Sequence, residues 1–85
     1  LNVSPGAEIR NNIRRLRFEK AEMTQQALAE RVGVTRQTVN AIELGKYSPS
    51  LEVAFRIAAV FAKPLEDVFQ YRELPRARVD SGWVD

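Results

Sequence analysis

Arg36, Gln37, Asn40 and Ala41 are spaced so that a helix would bring them to one side, with Val39 and Ile42 on the other. A guanidinium can grip guanine O6 and N7 with two hydrogen bonds, and a carboxamide can do the same at adenine N6 and N7. The polar side of this helix is therefore suited to reading base edges in a major groove. On an isolated helix a merely solvated face is the better reading, so the decision rests on what surrounds the helix. Gln25 opens the preceding helix beside this face, where unpaired N–H groups can meet a phosphate. Lys46 and Tyr47 follow the reading helix and suit a phosphate by charge and by hydroxyl; the alternative is a helix-terminal charge and an aromatic at the core edge. With Thr35 at the start of the helix, the expected DNA-contacting set is Gln25, Thr35, Arg36, Gln37, Asn40, Ala41, Lys46 and Tyr47.

Other chemistries lack their parts. The chain has no cysteine and no histidine, which removes disulfides, thiolate and imidazole metal sites, cysteine nucleophiles and imidazole acid–base catalysis. The acidic residues are scattered singly and no nucleophile–base pair stands out, so an enzyme is the weakest reading. No cofactor, metal or small-molecule site is expected. No apolar run approaches the roughly 20 residues that cross a bilayer, and the first residues lack a signal-peptide pattern, so a cytoplasmic protein without a membrane partner is expected. Net charge is only +2, but residues 1–48 hold eight basic and five acidic side chains, which concentrates the positive excess in the N-terminal half. On charge alone a solvated surface explains this equally well.

Caps and periodicity supply the framework around the reading face. At 85 residues, with 45% apolar and 28% charged, one globular domain with one core is expected. Ser4 and Pro5 form a helix-start signal, and Ile9, Ile13 and Leu16 recur at helical spacing, which predicts a first helix from there to about Lys20. Phe18 lies off that stripe. Thr24 caps a second helix with Leu28, Ala29 and Val32 inward and Gly33 as its stop; Thr35 caps a third that Gly45 ends. So tight a joint is the pattern of a helix-turn-helix, here spanning Gln25 to Leu44, and Ala29 must be small where the helices meet. Ser50 caps a fourth helix with Leu51, Ala54, Ile57, Ala58 and Phe61 as its stripe. Pro64 opens a fifth, in which Leu65, Val68 and Phe69 close the core. The expectation is an all-α fold, with a DNA-binding domain over 1–71 and an extended or disordered tail over 72–85 whose Val79, Trp83 and Val84 could pack on a partner or pair as a strand.

These residues carry a resemblance. The runs Met23–Ala29, Val32–Val39 and Ile42–Ser50, within residues 9–69, look like the Xre family of helix-turn-helix regulators, which includes phage repressor and Cro proteins. The resemblance implies a five-helix repressor-like domain that binds a palindromic operator in double-stranded DNA as a homodimer, with its third helix in the groove, and that represses transcription. It also implies a structural bridge between Arg17 and Glu43. Many members have one residue fewer between helix 1 and the Thr-Gln opening of helix 2, so the Lys20–Met23 loop is expected to have its own shape here. An antitoxin or a restriction–modification controller would use the same fold. A protein-interaction module that no longer binds DNA is the rival from another class; retention of Arg36, Gln37 and Asn40, with no acidic residue replacing them, weighs against it.

Overall fold

The computed structural model describes residues 7–73, in the order β1 (Ala7–Asn11), α1 (Ile13–Glu19), α2 (Gln25–Val32), α3 (Arg36–Glu43), α4 (Leu51–Val60), α5 (Leu65–Val68) and β2 (Phe69–Glu73). Three helices start where hydroxyl residues offer an acceptor to an otherwise unpaired backbone N–H. Thr24 Oγ1 accepts from Ala27 N at 2.9 Å, Thr35 Oγ1 from Thr38 N at 3.1 Å and Ser50 Oγ from Val53 N at 3.2 Å. Each cap of this kind contributes about 1 kcal/mol. The helices turn their aliphatic stripes into one core in which Ile13, Leu28, Ala29, Val39, Ile57 and Val68 are wholly buried. Burying one such aliphatic side chain larger than alanine contributes about 1.5–3 kcal/mol. Ala29 is the small residue where α2 and α3 meet, as its position requires.

Helix ends show which backbone the core demands. Gly33 follows α2 at φ +89°, a conformation that costs residues with a Cβ, and its N–H and that of Val34 both donate to Ala29 O. A Cβ on Gly33 would also stand 3.3 Å from Arg56 Nη1, which donates to Val32 O at 3.0 Å. Arg56, on α4, therefore braces the turn between α2 and α3. After α4 the chain closes in the same manner, with Lys63 N donating to Ala58 O and Ala62 N to Ala59 O, but an alanine occupies the left-handed position at φ +54°. The Lys20–Met23 loop carries two consecutive left-handed residues, Ala21 and Glu22, and returns through Met23 N donating to Arg17 O at 2.8 Å.

The ends of the described chain depart from an all-α fold. β1 and β2 pair antiparallel with Ile9 opposite Tyr71 and Asn11 opposite Phe69. The expected first helix is corrected accordingly: α1 begins at Ile13, and Ile9 belongs to the ribbon, 46% exposed, rather than to a buried helical stripe. The start is set by the two asparagines before it. Asn11 Oδ1 accepts from Ile13 N, while Asn12 donates its backbone N–H to Val68 O and its amide to Asp67 O, which ties the entry of α1 to α5. Ile9, Ile13 and Leu16 mimic a helix period only because a strand residue falls by chance in phase with the helix behind it. Leu51 is 66% exposed, outside the α4 stripe, whereas Phe69 packs against the core as expected, half-buried, but from β2 rather than α5. The boundary expected between residues 71 and 72 falls inside β2, and Ser4, Pro5, Val79, Trp83 and Val84 lie outside the described residues.

The two left-handed turn ends predict opposite responses to exchange of glycine and alanine. Gly33→Ala should destabilise the domain by roughly 1–2 kcal/mol, and Ala62→Gly should stabilise it by up to roughly 1 kcal/mol. Urea denaturation midpoints check this, and a shift of both variants in one direction would contradict the account of the turns.

Candidate nucleic-acid interface

α3 buries two side chains in the core and exposes the opposite side. Val39 is wholly buried and Ile42 is 2% exposed, whereas Arg36, Gln37 and Asn40 are exposed. Ala41, expected on the outward face, is half-buried, so a base can meet only the open side of its methyl group. Thr35 is exposed, but its hydroxyl is shared between capping Thr38 N and a 2.9 Å hydrogen bond with Thr38 Oγ1. Among the described residues, Arg36 and Gln37 make no side-chain hydrogen bond or ion pair, which leaves their donors and acceptors unspent.

Gln25 ties the start of α2 to this face. Its Nε2 donates to Asn40 Oδ1 and to Glu43 Oε1, each at 3.1 Å. A carboxamide oxygen carries two lone pairs, so Asn40 keeps one acceptor site and both amide hydrogens for an outside partner. Lys46 is exposed directly behind left-handed Gly45, and its backbone N–H donates to Ala41 O to close α3. Tyr47 is 54% exposed and faces a groove that also contains Ile9 and Tyr71. The structure thus brings Gln25, Thr35, Arg36, Gln37 and Asn40 to one region formed by two helix starts and the α3 face. Lys46 and Tyr47 stand beyond its far end.

What holds α3 in this attitude is largely one ion pair. Arg17 Nε meets Glu43 Oε2 at 2.6 Å and Arg17 Nη2 meets Glu43 Oε1 at 3.1 Å, a two-pronged contact between side chains only 10% and 7% exposed. Arg17 Nη1 donates to Met23 O at 2.8 Å, and Gln25 adds its bond to Glu43. Removing charges from water is costly, and a buried pair repays that only when its remaining polar atoms find partners. Among the described residues no buried side-chain polar atom lacks one.

Two positioning residues are not legible in the sequence. Asn11 Nδ2 donates to Ile42 O at 3.0 Å, which pins the end of α3 to β1. Arg56 is readable as the i, i+4 partner of Glu52, which it meets at 2.6 Å, but not as the brace of the helix-turn-helix, because its bond to Val32 O joins elements far apart in sequence. Phe18, off the α1 stripe, is 55% exposed and lies under the guanidinium groups of Arg14 and Arg17, each 5.8 Å from its ring centre. Among the described residues no helix is long and apolar enough to cross a membrane.

Comparison with known proteins identifies the fold and the family. The family profile described as "Helix-turn-helix" matches residues 13–68. An uncharacterized HTH-type transcriptional regulator of Methanocaldococcus jannaschii is 48% identical over 61 residues, covering 69% of this chain and 92% of that protein. One from Bacillus subtilis is 46% identical over 65 residues, covering 76% of this chain and 97% of its own length. Among solved structures, a Bacteroides fragilis protein described as a candidate DNA-binding protein superposes with a TM-score of 0.65 at 24% identity, over 73% of this chain and 98% of that one, a likeness of fold.

The buried pair predicts a contrast between two glutamates. Glu43→Ala, which strands Arg17 in the core, should cost about 3–5 kcal/mol. Glu22→Ala, at an exposed loop position, should change stability by about 0.5 kcal/mol or less. Thermal melts of both variants check this, and equal melting temperatures would refute the bracing role of the pair.

Proposed function

Because the chain belongs to the Xre-type helix-turn-helix family of DNA-binding transcriptional regulators, we propose that it is a sequence-specific repressor that binds a palindromic operator as a homodimer, with α3 in the major groove. The observation that carries this reading is the division of α3 into a buried side, Val39 and Ile42, and an exposed side where Arg36, Gln37 and Asn40 stand. Arg36 has the geometry for guanine O6 and N7, and Gln37 and Asn40 have it for adenine N6 and N7. The exposed part of the Ala41 methyl suits a thymine methyl. Gln25 and the start of α2 clamp one phosphate, Thr35 contacts the backbone at the start of α3, and Lys46 and Tyr47 hold a phosphate at its other end. Its proposed location is the cytoplasm, where the DNA target lies.

Repression follows from occupancy, since a protein seated in the groove over a promoter excludes the transcription machinery. A homodimer suits a helix this short. One α3 reaches only a few base pairs, whereas two related by a two-fold axis read half-sites about 34 Å apart, or a multiple of it, along one face of the duplex. Phosphate contacts supply most of the affinity and base contacts the discrimination.

Selection of bound DNA from a random pool, followed by titration at several salt concentrations, tests this reading. Wild-type protein should return a palindromic logo. Arg36→Ala and Gln37→Ala should each reduce preference for the selected site by about 1–3 kcal/mol per lost bidentate contact. Lys46→Ala should weaken all sequences alike and lower the slope of log affinity against log salt by about 1. Unchanged preference in both α3 variants would show that this face does not read DNA.

A further inference from the structure

The ribbon β1–β2 leaves one long edge of β1 without a strand beside it among the described residues. A two-stranded ribbon by itself is marginal in water, and an open edge invites pairing. This ribbon is also two-faced. Ile9, Asn11, Phe69 and Tyr71 occupy one face and Glu8, Arg10, Gln70 and Arg72 the other, as the period of two and the register require. Ile9 is 46% and Tyr71 67% exposed, and with Leu44, Tyr47 and Pro49 they line an open groove of about 710 Å³ at the end of α3.

We infer that β1 pairs antiparallel with β1 of a second copy of this chain, about a two-fold axis at Ile9, to form a four-stranded sheet; this rests on the homodimer reading above and names its surface. The charge order of β1 is what selects the partner. In that register Ile9 faces the partner's Ile9, Glu8 faces the partner's Arg10, and Arg10 faces the partner's Glu8, so both cross-strand charge pairs are opposite in sign. The apolar face becomes continuous from Tyr71 through Ile9 to the same residues of the second copy. Charged side chains on an edge ordinarily guard it, and here they repel most strands while remaining complementary to their own reversed copy. The free edge of β2 offers no such match: centred on Tyr71, it would set Arg72 against Gln70. Asn11 ties β1 to Ile42 O, so the axis lies beside the C-terminal end of α3, where a symmetric reading of two half-sites needs it.

Sedimentation equilibrium of the full chain without DNA tests the inference. Glu8→Arg and Arg10→Glu each turn two attractive pairs into like-charge pairs, and each should raise the dimer dissociation constant by roughly tenfold or more. Mixed in equal amounts, the two variants should associate with each other more tightly than either does with itself, because each position 8 then faces an opposite charge at position 10. Within its own chain Glu8 also pairs with Arg10 at 2.6 Å and lies 3.8 Å from Arg72, so reversing either Glu8 or Arg10 loosens the ribbon within a subunit. That loosening is not relieved by a second chain, so the mixture separates the two effects. Variants that dimerise like wild type, a mixture no tighter than its components, or loss of the dimer in Phe55→Glu on α4 with the ribbon variants unaffected would overturn this surface and leave the dimer standing. A wild-type chain that stays monomeric and binds DNA one copy per site would remove the dimer itself.

Discussion

Three helices meet at the carboxylate of Glu43. It belongs to α3, its two oxygens take the guanidinium of Arg17 from α1, and one of them also takes the amide of Gln25 from α2. A hydrophobic core fixes how deep α3 sits but tolerates rotation about its axis, because apolar contacts are not directional. A planar, two-pronged ion pair is directional, and it fixes that rotation. Since Arg36 and Asn40 stand about one turn apart on the same helix, the angle at which they face outward is inherited from Glu43. The cost of burying two charges is the physical condition of this arrangement, and a partner for each of the three guanidinium nitrogens of Arg17, from Glu43 and Met23, meets it.

The remaining braces act at the C-terminal ends of α2 and α3, from other sides. Arg56 of α4 donates to the Val32 carbonyl at the end of α2, and Asn11 of β1 adds a second donor to the Ile42 carbonyl at the end of α3, which also accepts from Gly45 N. Each bond ties a helix-terminal C=O to a different element. The short turn at Gly33 and Val34 is thereby held between a cap on one side and an arginine on the other. A helix of eight residues is too short to be stable alone, so the order of α3 comes from these attachments.

The centre of the molecule is legible in the sequence because its signals are local. Thr24, Thr35 and Ser50 cap the helices that begin after them, Gly33 ends the helix before it, and Val39 and Ile42 mark the inward side of α3. The Arg17–Glu43 bridge comes from family resemblance, since nothing local in Glu43 announces a partner 26 residues away. The ends read wrongly for a related reason. Whether residues 7–11 become strand or helix is decided by residues 69–73, and Ile9 happens to fall in phase with Ile13 and Leu16. Alternation of Glu8, Ile9 and Arg10 is a strand signal, but three residues are too few to outweigh a helical stripe that continues through Ile13 and Leu16. Leu51 shows the same limit in miniature: as the first residue of α4 it has the right spacing for the core, yet too little of the neighbouring structure reaches the start of that helix to cover it.

The pairing of Ala7 with Glu73 brings the two ends of the described chain together at one spot, at the end of the ribbon opposite the Asn11 contact with α3. A segment joined at either end therefore starts from that one spot. A domain of this shape can be fused to another in either order with the same geometry. Its ends can also be linked and the chain opened at a distant loop without disturbing how α3 is presented.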